Sequence, residues 1–194
     1  MEGNGRWIAV TAVAPIAWGA SYYVTRQLLP VDAPLWGATL RALPAALVLL
    51  ALARALPRGA WVWRSLVLGM LNVGAFFVLV YLAAGLLPSG VAASVMALSP
   101  LALAGTSWLL VGERPTRRLM AGAVLGIAGV YLVLTVGSGA IDWRGIAASL
   151  TALAMSSVGY VLSKRWKDET PVLAVTAWQL LAGGLGLLAV ALIA

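Results

Sequence analysis

Long apolar runs broken by short clusters of charge and by Pro/Gly pairs dominate the chain. The longest charge-free stretch, from Ser65 to Gly112, covers 48 residues. Breaks of this kind divide the sequence into seven segments, approximately 7–29, 34–56, 65–87, 90–111, 119–136, 145–163 and 171–194. Each lies near the ~20 residues that cross a hydrocarbon layer as a helix. Lipid offers the backbone no hydrogen bonds, so such segments form helices, which satisfy their own donors and acceptors. The pattern predicts an all-α, polytopic helical bundle of about seven transmembrane helices.

Composition agrees. Of 194 residues, 62% are hydrophobic and 10% charged, and a mean hydropathy of +0.99 lies outside the range of soluble domains. The partner is therefore the lipid bilayer. The first run is too long for a signal-peptide core and carries aromatics where small residues would mark cleavage, so it reads as a retained span. With no His and no Cys, zinc sites, thiol nucleophiles, disulfides and histidine proton shuttles are excluded, and no cofactor is implied. The net charge of +7 does not point to nucleic acid, because the basic residues sit in short clusters between apolar runs.

Those clusters predict orientation. Arg6; Arg54, Arg58 and Arg64; Arg114, Arg117 and Arg118; and Lys164, Arg165 and Lys167 place ten basic residues on one side, against two, Arg26 and Arg144, on the other. The positive-inside rule then puts the N-terminus in the cytoplasm of a multi-pass inner-membrane or plasma-membrane protein. The stretch "LLVGERPTRR" becomes a cytoplasmic turn in which Gly112 closes one helix and Pro115 starts the next.

A shift of 137 residues lays "IAWGASYYVTRQLLPVDAP" at 16–34 over "LAMSSVGYVLSKRWKDETP" at 153–171, with Tyr23 over Tyr160 and Pro34 over Pro171. The turn after the first copy is nearly neutral and external, and the turn after the second is basic and internal. Inverted repeats of this kind typify secondary transporters that bind substrate near the midplane.

Three blocks resemble the drug/metabolite transporter superfamily with its EamA-type repeats: "AWGASYY" at 17–23, "PLWGATLRALPAALVLL" at 34–50, and "LPSGVAASVMALSPLALAGTSWLLVGERPTRRLMAGAVLGIAGVYLVL" at 87–134. The resemblance implies ten helices in two inverted five-helix repeats around a central cavity that moves small organic solutes. Residues 1–137 correspond to the first repeat, and residues 138–194 to the first two helices of the second. The pattern implies three further helices, supplied by further chain or by a second polypeptide.

Candidate residues follow from chemistry that lipid penalises. Arg41 lies about 10 Å along its span at 1.5 Å per residue; it either snorkels outward or holds a substrate carboxylate or phosphate. Trp18 and Tyr22 share a helix face, and Trp18 and Trp178 lie away from the boundary belt of tryptophans, so each is either buried packing or cavity wall. Asn72 must face protein or water, as an interhelical hydrogen bond or a ligand contact. With Tyr160, these are the candidate substrate-binding residues. Pro15, Pro44 and Pro100 interrupt spans and are candidates for bending. Glu113 is expected to pair with Arg117 four residues on, or to serve a cytoplasmic gate. Gly122, Gly126 and Gly129 allow close helix approach, within the fold or in a homodimer.

No Asp, Glu or His falls within a predicted span, so a buried proton relay is absent from these segments. An intramembrane enzyme would have only serines, with no base beside them. The reading is a carrier, an exporter, of small organic metabolites such as amino acids or related compounds, working by alternating access. Its rival is a non-transporting fragment or scaffold that needs a second chain.

Overall fold

The computed structural model describes residues 12–13, 34–136 and 142–193, and every regular element among them is helical. Eight α-helices follow residue 33: α1 Pro34–Ala53, α2 Ala60–Gly69, α3 Ala75–Leu86, α4 Ser89–Met96, α5 Ser99–Val111, α6 Arg117–Val136, α7 Trp143–Arg165 and α8 Val172–Ile193. A π-turn, Met70–Gly74, joins α2 to α3 without a break, so the two form one 27-residue helix.

Among the described residues, five helices are long and apolar enough to span a membrane: Leu35–Ala53, Ala60–Leu86, Gly90–Val111, Trp143–Arg165 and Val172–Ile193. They match the second, third, fourth, sixth and seventh predicted segments. Of the first segment only residues 12–13 are described, so Pro15, Trp18 and Tyr22 lie outside the described residues. The fifth is occupied by the 20-residue α6.

Local chemistry sets the helix ends. Gly112 takes a left-handed φ of 75° at the C-terminus of α5, and its N–H bonds the Trp108 carbonyl, as an αL cap does. Asp142 caps α7 by accepting from the Arg144 N–H at 2.8 Å. The prolines act differently from one another. Pro44 lies on the exposed face of α1 and leaves the helix unbroken. Pro100 falls in the first turn of α5, where no donor is needed, and the chain turns over Ala97–Leu98 just before it.

The packing is that of a membrane bundle. Small residues are buried and large ones face outward: Ala38, Ala42 and Ala46 line the inner face of α1, while Leu40, Leu47, Val48 and Leu52 are exposed. In lipid, association gains from close packing rather than from hydrophobic burial, and small residues permit it. The closest approach joins the π-turn region to α8. A Cβ added to Gly183 would lie 2.5 Å from the Gly69 carbonyl oxygen and 2.9 Å from the Gly74 nitrogen, so the two backbones are in contact.

Two groups of helices emerge. One contains α1, α2 and α8; α1 runs antiparallel to α8, with Ala55 near Trp178 at one end and Ala38 with Leu187 toward the other. The other contains α3, α4, α5, α6 and α7, with α3, α4 and α5 all packed on α7. The α7 and α8 helices are consecutive, yet they scarcely touch. The long α2–α3 helix therefore belongs to both groups, its first half to one and its second half to the other.

Candidate functional site

The gap between α7 and α8 is a cavity of about 550 Å³. Its walls are mostly apolar, contributed by Val73, Val175, Leu180, Trp61 and Tyr160. Polar groups sit at the two ends. At the deep end, Asn72 of the π-turn donates from Nδ2 to Gln179 Oε1 of α8 at 3.0 Å. At the mouth are Lys164, Lys167 and Asp168.

Sequence and packing explain the deep end. Asn72 occupies a helix that lipid would otherwise leave apolar, and its amide is held by a neighbouring amide, as polar pairs are between membrane helices. Its side chain also lies on Gly159 of α7, where any Cβ would collide with the amide. The Oδ1 atom is buried with no hydrogen-bond partner, an arrangement that costs free energy unless another group arrives. Asn72 thus touches both helix groups.

The mouth is tied by aromatic and charged contacts. The Arg64 guanidinium carbon lies 5.6 Å from the Trp61 ring, 5.9 Å from Trp63 and 5.6 Å from Trp166, within cation–π range of all three. Trp63 and Trp166 meet edge to face at 4.9 Å. The Trp61 indole N–H donates to Asp168 Oδ2 at 2.9 Å. Hydrogen bonds from Thr170, its side chain and its backbone N–H, and then from Trp61, lower the Asp168 carboxyl below its usual pKa range, with Arg64 contributing less. Glu113 pairs with Lys164 across the end of the bundle, not with Arg117 as its spacing had suggested. These contacts gather three basic turns, around residues 54–64, 112–118 and 164–168, at one end. At the other, Leu87 packs against Gly145.

The structure brings Asn72 and Tyr160 together at the cavity. It places Trp178 elsewhere, buried, with its N–H donating to the Ala55 carbonyl at 2.8 Å and its ring 5.9 Å from Trp61. That bond satisfies a backbone carbonyl in the turn that follows α1. Trp178 also borders a second hollow of about 490 Å³ beside Arg54 and Arg58. Arg41 stands on α1 with its guanidinium carbon 4.8 Å from the Phe77 ring, away from the cavity. Gln179 escaped the sequence reading. Its signal was a lone amide in an otherwise apolar helix, as at Asn72.

A family model described as the EamA-like transporter family matches residues 5–135. The chain belongs to the EamA-like transporter family. Relatives agree with that membership. The chain is 41% identical to Protein PecM of Dickeya dadantii (strain 3937), over 91% of this chain and 60% of that protein. It is 32% identical to a WAT1-related protein, chloroplastic, of Arabidopsis thaliana, over 98% of this chain and 49% of that one. It is 28% identical to the Uncharacterized transporter YvbV of Bacillus subtilis (strain 168), over 94% and 62%. The EamA-family chain thus spans about half to three-fifths of the length of these relatives. No solved structure matches it.

Proposed function

We propose that this EamA-family protein carries small organic metabolites, such as amino acids or related compounds, out of the cell by alternating access. It would sit in the inner or plasma membrane with its N-terminus in the cytoplasm. The observation that carries this reading is the cavity between α7 and α8, apolar-walled, with an amide pair at its deep end and its mouth among the basic turns. A pocket with few polar groups on apolar walls suits a small amphipathic solute. Lys164 and Lys167 at the mouth fit a cytoplasmic opening. The inverted-repeat organisation is part of the reading and rests on the weak internal similarity and on the antiparallel packing of α1 against α8.

The test is counterflow of a panel of radiolabelled amino acids and related metabolites in proteoliposomes containing the full-length protein. Exchange of at least one solute, lost on Asn72→Leu and on Gln179→Leu, is the expected result. Exchange unaffected by both changes would move the binding site elsewhere, and no exchange of any solute would remove the carrier reading. A second reading rests on the chain's coverage of only 60% of PecM and 49% of the Arabidopsis relative: a partial bundle that becomes competent when further chain or a second polypeptide completes it.

A further inference from the structure

We propose that the π-turn Met70–Gly74 is a hinge, and that bending there opens and closes the cavity between α7 and α8. This deepens the transport reading, but its geometry can be tested without any transported solute.

Four observations converge on the turn. First, its hydrogen bonding is irregular: the Ala75 N–H donates to Met70 O, five residues back, so one residue is in excess of a regular α-helix. Single π-turns inside helices often mark functional sites, and a kink needs an identifiable cause of this kind. Second, the turn stands where the helix changes partners. The segment before it packs on α8, the segment after it packs on α7, and between those two helices lies the cavity. A bend at Met70–Gly74 therefore moves α7 relative to α8.

Third, the contact on which the bend would pivot is built largely of glycine backbone. Gly69 and Gly74 face Gly183, and the side chains beside them are the small Ala182, Val73 and the flexible Met70, so little bulk opposes a roll of one helix on the other. Fourth, Asn72 lies within the turn and at the deep end of the cavity. Its unpartnered, buried Oδ1 makes this arrangement costly, so a solute donor or a shifted backbone that satisfied it would favour a different bend. That is the differential interaction a ligand needs in order to move a conformational equilibrium. The contacts of Arg64 and Trp63 of α2 with Trp166 at the end of α7 are the ones that would part.

The chain has no cysteine, so spin labels attach only where cysteines are introduced. Leu52→Cys on α1 and Leu109→Cys on α5 put labels on exposed sites, one in each helix group near the basic end. The distance distribution between them is measured in the full-length protein in lipid nanodiscs. Two populations are expected, and Gly74→Ala is expected to leave one. At Gly74 a Cβ would meet the flexible Met70 sulfur at 2.9 Å, so the methyl is accommodated while the turn stiffens. Gly85→Ala, with no described group within 4 Å of the added Cβ, should keep both populations. A single population in the parent protein, or the same two in all three proteins, would overturn the hinge. Amide exchange on the unsubstituted protein gives an independent reading. Faster exchange at Asn72–Ala75 than in the flanking turns of the same helix is expected, and uniform protection across it refutes the proposal whatever the substitutions do.

Discussion

Two helices carry closely spaced glycines, and the structure uses them in opposite ways. Gly183 and Gly184 of α8 are buried, one against the Gly69–Gly74 backbone and the other against Leu43 and Ala42 of α1. Among the described residues, Gly122 and Gly129 of α6 meet nothing within 4 Å where a Cβ would stand, and Gly126 meets only Leu98 at 3.9 Å. Both sets permit close approach of a second helix. What separates them is whether a partner presents a matching small surface, and a sequence window on one helix does not contain its partner.

The sharpest way to break the comparison is Gly183→Val. A Cβ there lies within 2.5–2.9 Å of the Gly69 oxygen, the Val73 Cβ and the Gly74 nitrogen, and two of these are backbone atoms that cannot rotate away. Overpacking of a tight contact costs about 1–3 kcal/mol, occasionally more, and the backbone clash places this variant at the upper end. Thermal unfolding in detergent should show a clear loss, and a melting temperature equal to that of the parent would disprove the backbone contact. The same change at Gly122 should do nothing of this size.

Asn72→Leu comes next. It removes one member of the amide pair and leaves Gln179 Oε1 without its donor. Interhelical hydrogen bonds in membranes are worth about 0.6 kcal/mol on average and up to about 1.7, so the stability loss should be modest. Its effect on solute exchange should exceed what the stability change accounts for. Equal losses of stability and exchange would reduce Asn72 to a packing residue.

Five of the seven predicted spans were legible because lipid imposes a strict rule: apolar length gives the helix, and Pro, Gly and charge give its ends. Gly112 at the close of α5 is read directly from "LLVGERPTRR". The division of the third helix by a π-turn was not legible, since "MLNVG" is as compatible with a regular helix as with an added residue. Nor was the Glu113–Lys164 pair. The spacing of Glu113 and Arg117 suggested a local partner, but residues 112–116 are not helical, so the i,i+4 geometry never forms. Asn72 stood out as a polar residue in an apolar span, and its partner Gln179 is 107 positions away. Composition marks such residues one at a time, and only packing pairs them.

A smaller effect distinguishes the mouth from the deep end. Asp168 lies outside the spans with its pKa lowered by hydrogen bonds from Thr170 and Trp61. A carboxyl with a depressed folded-state pKa contributes stability that is present above its unfolded value and lost as the pH falls through the lowered one. Thermal stability should therefore hold through mildly acidic pH and decline in stronger acid. Asp168→Asn should flatten that decline and lower stability slightly at neutral pH, while Asn72→Leu should leave the pH profile unchanged. A profile insensitive to Asp168→Asn would show that the Trp61–Asp168 bond contributes nothing measurable to holding α2 against the turn before α8.

The smallest effect is expected on α6. Gly122→Leu adds a large side chain where no described group stands within 4 Å of the added Cβ, and it replaces a poor helix former, gaining about 0.8–1 kcal/mol of helix propensity. Against a lipid-facing surface the variant should melt at or slightly above the parent temperature and elute at the same size. The comparison with Gly183 then turns on what covers the α6 face. If two copies of the protein met there, the leucine would block their approach, and size-exclusion with light scattering would show the mass falling to that of a single copy while the monomer kept its stability. If a helix from further chain lay there, stability itself would fall. An unchanged mass with unchanged or raised stability means that lipid is the neighbour, and that the glycines of α6, unlike those of α8, face the membrane.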